Sequence, residues 1–217
     1  MGFTVEKALG AWRREGLRGL LRSAKRRVLR RRVMIFYTRD LDHPDAVPFM
    51  PRQCVVMRFG DESDLHLVAP HVPAEKLELY HRRLARGMRL GLVLKSDERD
   101  LLGWFWTTDR TFYEDYDHTT YRTQPGEIYH FDGQVVSGHR GRGVGFTAFP
   151  LIWVFWRSRG FRRAMCTIDA TNRTSLKFHE RMRYEPRGKL TIHSFLGFRW
   201  SVSTDPHMGS GDETDGC

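Results

Sequence analysis

The residues best equipped for chemistry lie between positions 127 and 145. A strand-like run from Glu127 ends in Val135-Val136, and Ser137-Gly138-His139-Arg140-Gly141-Arg142-Gly143-Val144-Gly145 follows. An apolar helical stretch with Phe146, Phe149, Leu151, Ile152, Val154 and Phe155 comes next. Glycines at such a turn let backbone N–H groups approach a ligand, and the helix N-terminus attracts phosphate. The turn is not a Walker A loop, because no Gly-Lys-Ser/Thr follows. Glycines 141, 143 and 145 also lack G-x-G-x-x-G spacing. The competing reading is a tight strand-to-helix connection with no ligand.

Three groups on the strand before this turn can move a proton: Glu127, His130 and Asp132. Alternation puts His130 and Asp132 on one face and Glu127 on the other, unless a bulge intervenes. Glu127 and Asp132 are preferred as candidate bases, and plain surface charge is the alternative for Glu127. Farther on, His179 shares a predicted helix face with Ser175, Phe178 and Met182. It is either a proton donor near neutral pH or a neutral packed histidine. The loop Thr111–Tyr121 sets Phe112, Tyr113, Tyr116 and Tyr121 among acids, which suits an acceptor pocket or a partly packed surface. Cys54, Cys166 and Cys217 are far apart and show no zinc spacing, so no metal is expected. Reduced thiols in a cytosolic compartment are the simplest reading of them.

The elements that must position these groups follow from pattern. Residues 33–53 read as a connector, punctuated by Asp40, Asp42, Pro44, Asp45, Pro48 and Pro51. A strand is predicted from Cys54 to Phe59, and a helix from Ala74 to about Gly87 with Leu77, Tyr80, Leu84 and Met88 on one face. Arg89–Lys95 and Leu101–Thr107 read as a hairpin. A fourth strand covers Glu127–Val136, and the helix after the Gly-rich turn contains Pro150, a possible kink point. A strand Ala164–Asp169, a helix from Asn172 and a last strand around Lys189–Val202 complete the order. Residues 203–217 read as a disordered tail. One α/β (α+β) domain with a central sheet is implied, spanning 54–202.

The chain has 217 residues and a formal net charge of +10. The charge is concentrated. Residues 1–32 hold 11 of the 36 Lys+Arg and two of the 26 Asp+Glu, a net +9, which leaves +1 on the other 185. Val5, Ala8, Leu9, Trp12, Leu17, Leu20, Leu21, Ala24 and Val28 recur there at helical spacing. Residues 1–32 therefore read as a basic amphipathic helix, suited to an anionic membrane surface or to packing on protein. Nucleic acid is not the expected partner, because stacking aromatics do not interleave the basic cluster. A cytoplasmic location follows, with a peripheral membrane position open.

Two motifs carry a resemblance. Arg140-Gly141-Arg142-Gly143-Val144-Gly145 resembles the R/Q-x-x-G-x-G/A motif of the GCN5-related N-acetyltransferase (GNAT) superfamily. Asn172-Arg-Thr-Ser175-Leu-Lys-Phe178-His179-Glu180-Arg-Met182-Arg-Tyr184 is similar to the second motif of that family. The resemblance runs from about Cys54 to Trp200. It implies a GNAT-like acyl-CoA N-acyltransferase fold, with a central mixed, mostly antiparallel sheet flanked by helices. It also implies acetyl-CoA as co-substrate, with its pyrophosphate on Arg140, Gly141, Arg142, Gly143, Val144 and Gly145. Its pantetheine arm would lie along Val135 and Val136, and Asn172 would sit near its thioester end. The implied activity is acetyl transfer to a primary amine of a small acceptor, with Glu127 or Asp132 as base and His179 as acid. The departure is at the second motif, where many members have Tyr and this chain has His179. That leaves open a non-catalytic acyl-CoA-binding sensor or interaction module.

Overall fold

A computed structural model describes residues 29–43, 55–114, 119–195 and 198–210. The strands are β1 (Leu29–Asp40), β2 (Val55–Gly60), β3 (Arg89–Lys95), β4 (Leu101–Thr108), β5 (Phe112–Glu114), β6 (Thr119–Tyr121), β7 (Glu127–Val135), β8 (Arg163–Asp169), β9 (Glu185–Phe195), β10 (Phe198–Ser203) and β11 (Met208–Ser210). The helices are α1 (Leu65–Val68), α2 (Ala74–Ala85), α3 (Val144–Arg157) and α4 (Arg173–Arg181), with short 3-10 turns beside α1 and before α3. Eight strands form one sheet in the order β10-β9-β1-β8-β7-β4-β3-β2, and β11-β6-β5 form a second, small sheet. Every pair is antiparallel except β7 with β8.

Apolar residues on the two faces of the large sheet make two cores. On one face, Leu65, Val68 and Tyr80 from the α1–α2 region and Phe112, Tyr121 and Met208 from the small sheet pack on Phe36, Leu92, Trp104, Trp106 and Tyr129. On the other, Val144, Ala148, Ile152, Trp153 and Trp156 of α3 and Met182 and Tyr184 after α4 pack on Tyr37, Val93, Leu102, Phe105, Ile128 and Ala164. The sheet with helices on both faces is the predicted architecture.

Three sequence expectations change. The connector at 33–53 contains β1, which lies between β9 and β8 and buries Met34, Phe36 and Tyr37. Its apolar run Val33–Tyr37 sits directly behind Arg30-Arg31-Arg32, and the Asp and Pro punctuation begins only at its end. The folded domain therefore begins by Leu29, and the basic-helix expectation survives only for residues 1–28, outside the described residues. The tail is the second change: Ser203 ends β10, and Met208–Ser210 pair with β6. Met208 is only 3% exposed, so this short strand is held by packing that local composition does not reveal. The remaining tail, 211–217, lies outside the described residues. Third, the expected single strand at 189–202 is two, β9 and β10.

One close approach in the sheet gives a direct test. A Cβ placed on Gly91 would lie 2.0 Å from the ring of Phe105, its cross-strand partner, which is 4% exposed. The ring lies over the glycine and has no open side to move into. Gly91→Ala should destabilise the fold by about 1–3 kcal/mol, the usual range for overpacking, read from the urea midpoint.

Candidate active site

The parallel pair β7/β8 is short by construction. Its partners are Glu127↔Arg163, Ile128↔Ala164 and Tyr129↔Met165. Past that point β7 continues along β4 while β8 continues along β1. A wedge therefore opens between residues 130–135 and 166–169. A bulge marks it: Trp104 pairs with Gln134 and Trp106 with Phe131, so Phe105 alone opposes Asp132 and Gly133. Asp132 takes φ +47, and a bulge of this kind bends its strand away from a neighbour. At the crotch the hydroxyls of Tyr129 and Thr167 share a hydrogen bond. Past Tyr129, the side of β7 that faces β8 has no ladder partner among the described residues, which leaves backbone groups for an extended ligand.

The Gly-rich turn stands at the open end of this wedge. The Val136 N–H donates to the Leu102 carbonyl at 2.9 Å, so the strand is held to its last residue. Gly141 and Gly143 have φ +74 and +82, backbone that side-chain-bearing residues rarely adopt. Gly143 is the N-cap of α3 and no side chain caps that end. The first N–H groups of a helix have no intrahelical acceptor, and they point at the positive end of its dipole. A Cβ on Gly141 would meet nothing within 4 Å. Gly145 is different: its Cβ would sit 3.1 Å from the Phe178 ring, so close packing of α3 on α4 already favours glycine there. Val144 is buried, Arg142 is exposed, and the Arg140 Nε donates to the Val135 carbonyl at 3.1 Å. Asn172 caps α4, its Oδ1 accepting from the Ser175 N–H at 3.1 Å.

The proton-moving candidates are dispersed. The bulge turns Asp132 away from His130, onto the face of α2. There its Oδ1 accepts from Lys76 Nζ at 2.7 Å and its Oδ2 from Arg83 at 2.8 Å and from Tyr80 Oη at 3.0 Å. Burial alone would raise this carboxyl, but Lys76 and Arg83 outweigh it and hold it below the usual range. Arg83 also donates to Glu114 at 3.1 Å, and its guanidinium lies 4.8 Å from the centre of the Phe131 ring. The same-face expectation for His130 and Asp132 thus gives way to the bulge. Nothing in the sequence singled out Lys76 and Arg83 as partners of Asp132.

His130 stays on the α3 face, 5% exposed, with neither ring nitrogen hydrogen-bonded. Burial, reinforced by nearby His179, pushes its pKa down to about 3. His179 is 8% exposed among the rings of Tyr37, Phe149, Phe178 and Tyr184. Its Nδ1 is 2.8 Å from the Ser175 carbonyl, which can only accept, so Nδ1 carries the proton and Nε2 is an acceptor. Burial lowers its pKa to about 4, leaving a neutral ring at pH 7. Tyr184, the other hydroxyl near this motif, accepts from Trp153 Nε1 at 3.3 Å and is raised well above the ordinary tyrosine range by burial.

Glu127 lies at the opposite end of β7 from the Gly-rich turn. Its Oε1 accepts from Arg163 at 2.8 Å, and its Oε2 accepts from the Gln124 N–H at 2.9 Å and faces His207 Nε2 at 3.2 Å. His207 belongs to the segment read as a tail, so this contact had no signal in the sequence.

No protein-family model matches the sequence, and no curated protein matches it. Solved structures do match. A GCN5-related N-acetyltransferase from Sphaerobacter thermophilus aligns at 17% identity and a TM-score of 0.55, covering 89% of this chain and 58% of that one. A tandem GNAT protein from the clavulanic acid biosynthesis pathway aligns at 17% and 0.52, covering 81% and 54%. The GCN5-related glucosamine N-acetyltransferase region of a fungal multi-domain GH3 β-N-acetylglucosaminidase aligns at 13% and 0.59, covering 81% and 22%. This chain has the GNAT fold. It spans less than two thirds of the length of each of these three chains.

Within this GNAT fold, a cleft of ≈ 1080 Å³ opens beside the first residues of β7 and β8. Glu127, Arg163, Glu180, Arg183, Tyr184 and His207 are among its walls. Glu127 therefore joins the cleft to the crotch of the wedge, two residues along β7 at Tyr129. The cleft walls are ionic, and several of their charges are mutually paired, as in Arg163–Glu127 and Arg187–Glu185.

Proposed function

We propose that this protein is an N-acetyltransferase that moves an acetyl group from acetyl-CoA to a primary amine of a small acceptor. One observation carries the reading: the wedge between β7 and β8 leads to an uncapped helix N-terminus fronted by two left-handed glycines. A diphosphate needs several N–H donors that no protein group uses, and this turn offers them where an added Cβ at Gly141 would have room to stand in the way.

Gly141, Gly143, Val144 and Gly145 would hold the pyrophosphate through their backbone, with the exposed Arg142 adding a charge-assisted contact. Arg140 would steady the strand end through the Val135 carbonyl. The side of β7 that faces the wedge, up to the Val135 N–H, would pair with the pantetheine arm, while Val136, bonded to Leu102 and His139, would hold the strand end beside it. Asn172, with Oδ1 committed to its cap, has its amide N–H groups for a polar contact at the thioester end. Acetyl-CoA, when bound, supplies the acyl group as an activated thioester. Glu127 would take the amine proton from an acceptor seated in the cleft. Asp132 would position α2 against β7 and leave proton transfer to Glu127. His179, with its proton on Nδ1, would accept a hydrogen bond at Nε2. That last feature favours a second reading, a non-catalytic acyl-CoA-binding module, because neither His179 nor Tyr184 presents a ready proton donor.

Acetyl-CoA binding is the direct test. At ~100 times its dissociation constant it should stabilise the native state by about 2.7 kcal/mol. For a chain of this size that is a rise in Tm of roughly 5–10 °C. Gly143→Glu should lose the rise, since it places a side chain and a negative charge at the helix N-terminus. A wild-type protein with no rise at saturating acetyl-CoA would remove the proposal. A rise without turnover of any amine would leave the binding module.

A further inference from the structure

We propose that the β9–β10 hairpin is a membrane-attachment surface, resting on an anionic lipid bilayer through the face it shares with Arg31 of β1. The proposal is independent of the acetyltransferase reading. β10 is the outermost strand of the large sheet, and its alternate residues Phe198, Trp200 and Val202 are 75%, 46% and 56% exposed. Phe195, at the other side of the turn, is 43% exposed. Residues opposite one another in a sheet share a face. Phe195 pairs with Phe198, His193 with Trp200 and Thr191 with Val202, so the apolar groups stand together on one surface. The His193 and Trp200 rings stack at 5.1 Å. No residue of β9 or β10 enters the core beneath α3 and α4, so those helices leave this end of the sheet uncovered. The sequence between the two strands, Phe195-Leu196-Gly197-Phe198, is apolar throughout.

Charge selects the occupant. β1 enters the sheet along this edge, with Leu29 opposite Phe195 and Arg30, Arg31 and Arg32 opposite Ser194, His193 and Ile192. Arg31 is exposed and shares the face of His193 and Trp200. Arg199 is exposed on the edge strand itself. The sequence before them, residues 1–28, carries a further net +6. Exposed aromatic and apolar side chains with Arg31 on the same face match the acyl boundary and headgroup layer of an anionic leaflet. A second copy would bring the same positive segment to the same surface and be repelled. No helix among the described residues is long and apolar enough to cross a bilayer, and the contact proposed is at the surface.

The test is sedimentation of the full chain with vesicles of phosphatidylcholine, alone or mixed with phosphatidylglycerol. Binding is expected only to the mixed vesicles, with a blue shift in tryptophan emission and weakening as salt rises. The double variant Phe198→Ser/Trp200→Ser removes exposed side chains only, and circular dichroism melting should show the fold intact. Its partition should fall at least about tenfold, from the apolar area withdrawn from the bilayer. Binding unchanged in the double variant would overturn the hairpin's role. So would equal binding to both vesicle types, or to neither. Light scattering that shows a dimer, converted to monomer by the double variant, would assign the face to a second copy instead.

Discussion

Glu127→Gln should lower kcat/KM for acetyl transfer by roughly 10²–10⁴-fold, the range associated with a positioned general base. The acetyl-CoA-dependent rise in Tm should be unchanged. The two effects separate because Glu127 and the Gly-rich turn are at opposite ends of β7, roughly 26 Å apart along an extended strand. Gln is the informative replacement. Its amide oxygen can keep accepting from Arg163 while its NH2 group takes the place of Oε2, next to the Gln124 N–H and His207, so the side-chain shape persists while one accepted hydrogen bond and the ability to take a proton are lost. A variant within about tenfold of wild type that still binds acetyl-CoA would move the base elsewhere on the strand or to water. A variant that also loses acetyl-CoA binding would show that Glu127 supports the wedge as a structural group.

The Gly-rich turn was legible in the sequence because it is local. Five consecutive positions, Gly141 to Gly145, set both the turn and the helix start, and their backbone angles need nothing from the rest of the chain. The order of the longer strands and helices from Val55 to Arg181, β5 and β6 aside, was legible for the same reason, since hydrophobic period and turn residues act over short range. β1 was hidden by its neighbours. A strand that opens with three arginines reads as part of a basic segment until β8 and β9 are present to pair with it.

The surroundings of Glu127 and Asp132 were not legible because they are assembled from distant residues. Asp132 looks like a base on one strand face until the bulge rotates it to Lys76 and Arg83, 56 and 49 residues away. Glu127 looks like surface charge until Arg163 and His207 meet it. The small sheet shows this most clearly. β5, β6 and β11 have three residues each, and no pattern of period two can be read from three. What holds them is the stack of Phe112 on Tyr121, with ring centres 5.4 Å apart, and the burial of Met208 against the same core.

Acid should unfold this protein well before its carboxylates are neutralised, and the cause is the buried pair His130 and His179. In the folded chain burial holds them at about 3 and about 4. In the unfolded chain each binds a proton below about 6.5. Between those limits the unfolded state carries two protons that the folded state does not, so stability falls as pH falls, by roughly 3 kcal/mol per pH unit for the pair. Two units of acidification from pH 6.5 would remove about 5 kcal/mol, a large share of a typical total of 5–15 kcal/mol. Asp132, whose folded value is depressed, adds its own loss only below the ordinary aspartate range. Urea midpoints measured between pH 7 and 4.5 should therefore drop steeply, and His130→Leu/His179→Leu should flatten the slope even if it changes the midpoint at pH 7. A wild-type midpoint that stays level across this range would mean that the two imidazoles accept protons in the folded state. The crevice between α3, α4 and β7 would then be open to water, and Nε2 of His179 would be able to carry a proton to a leaving thiolate.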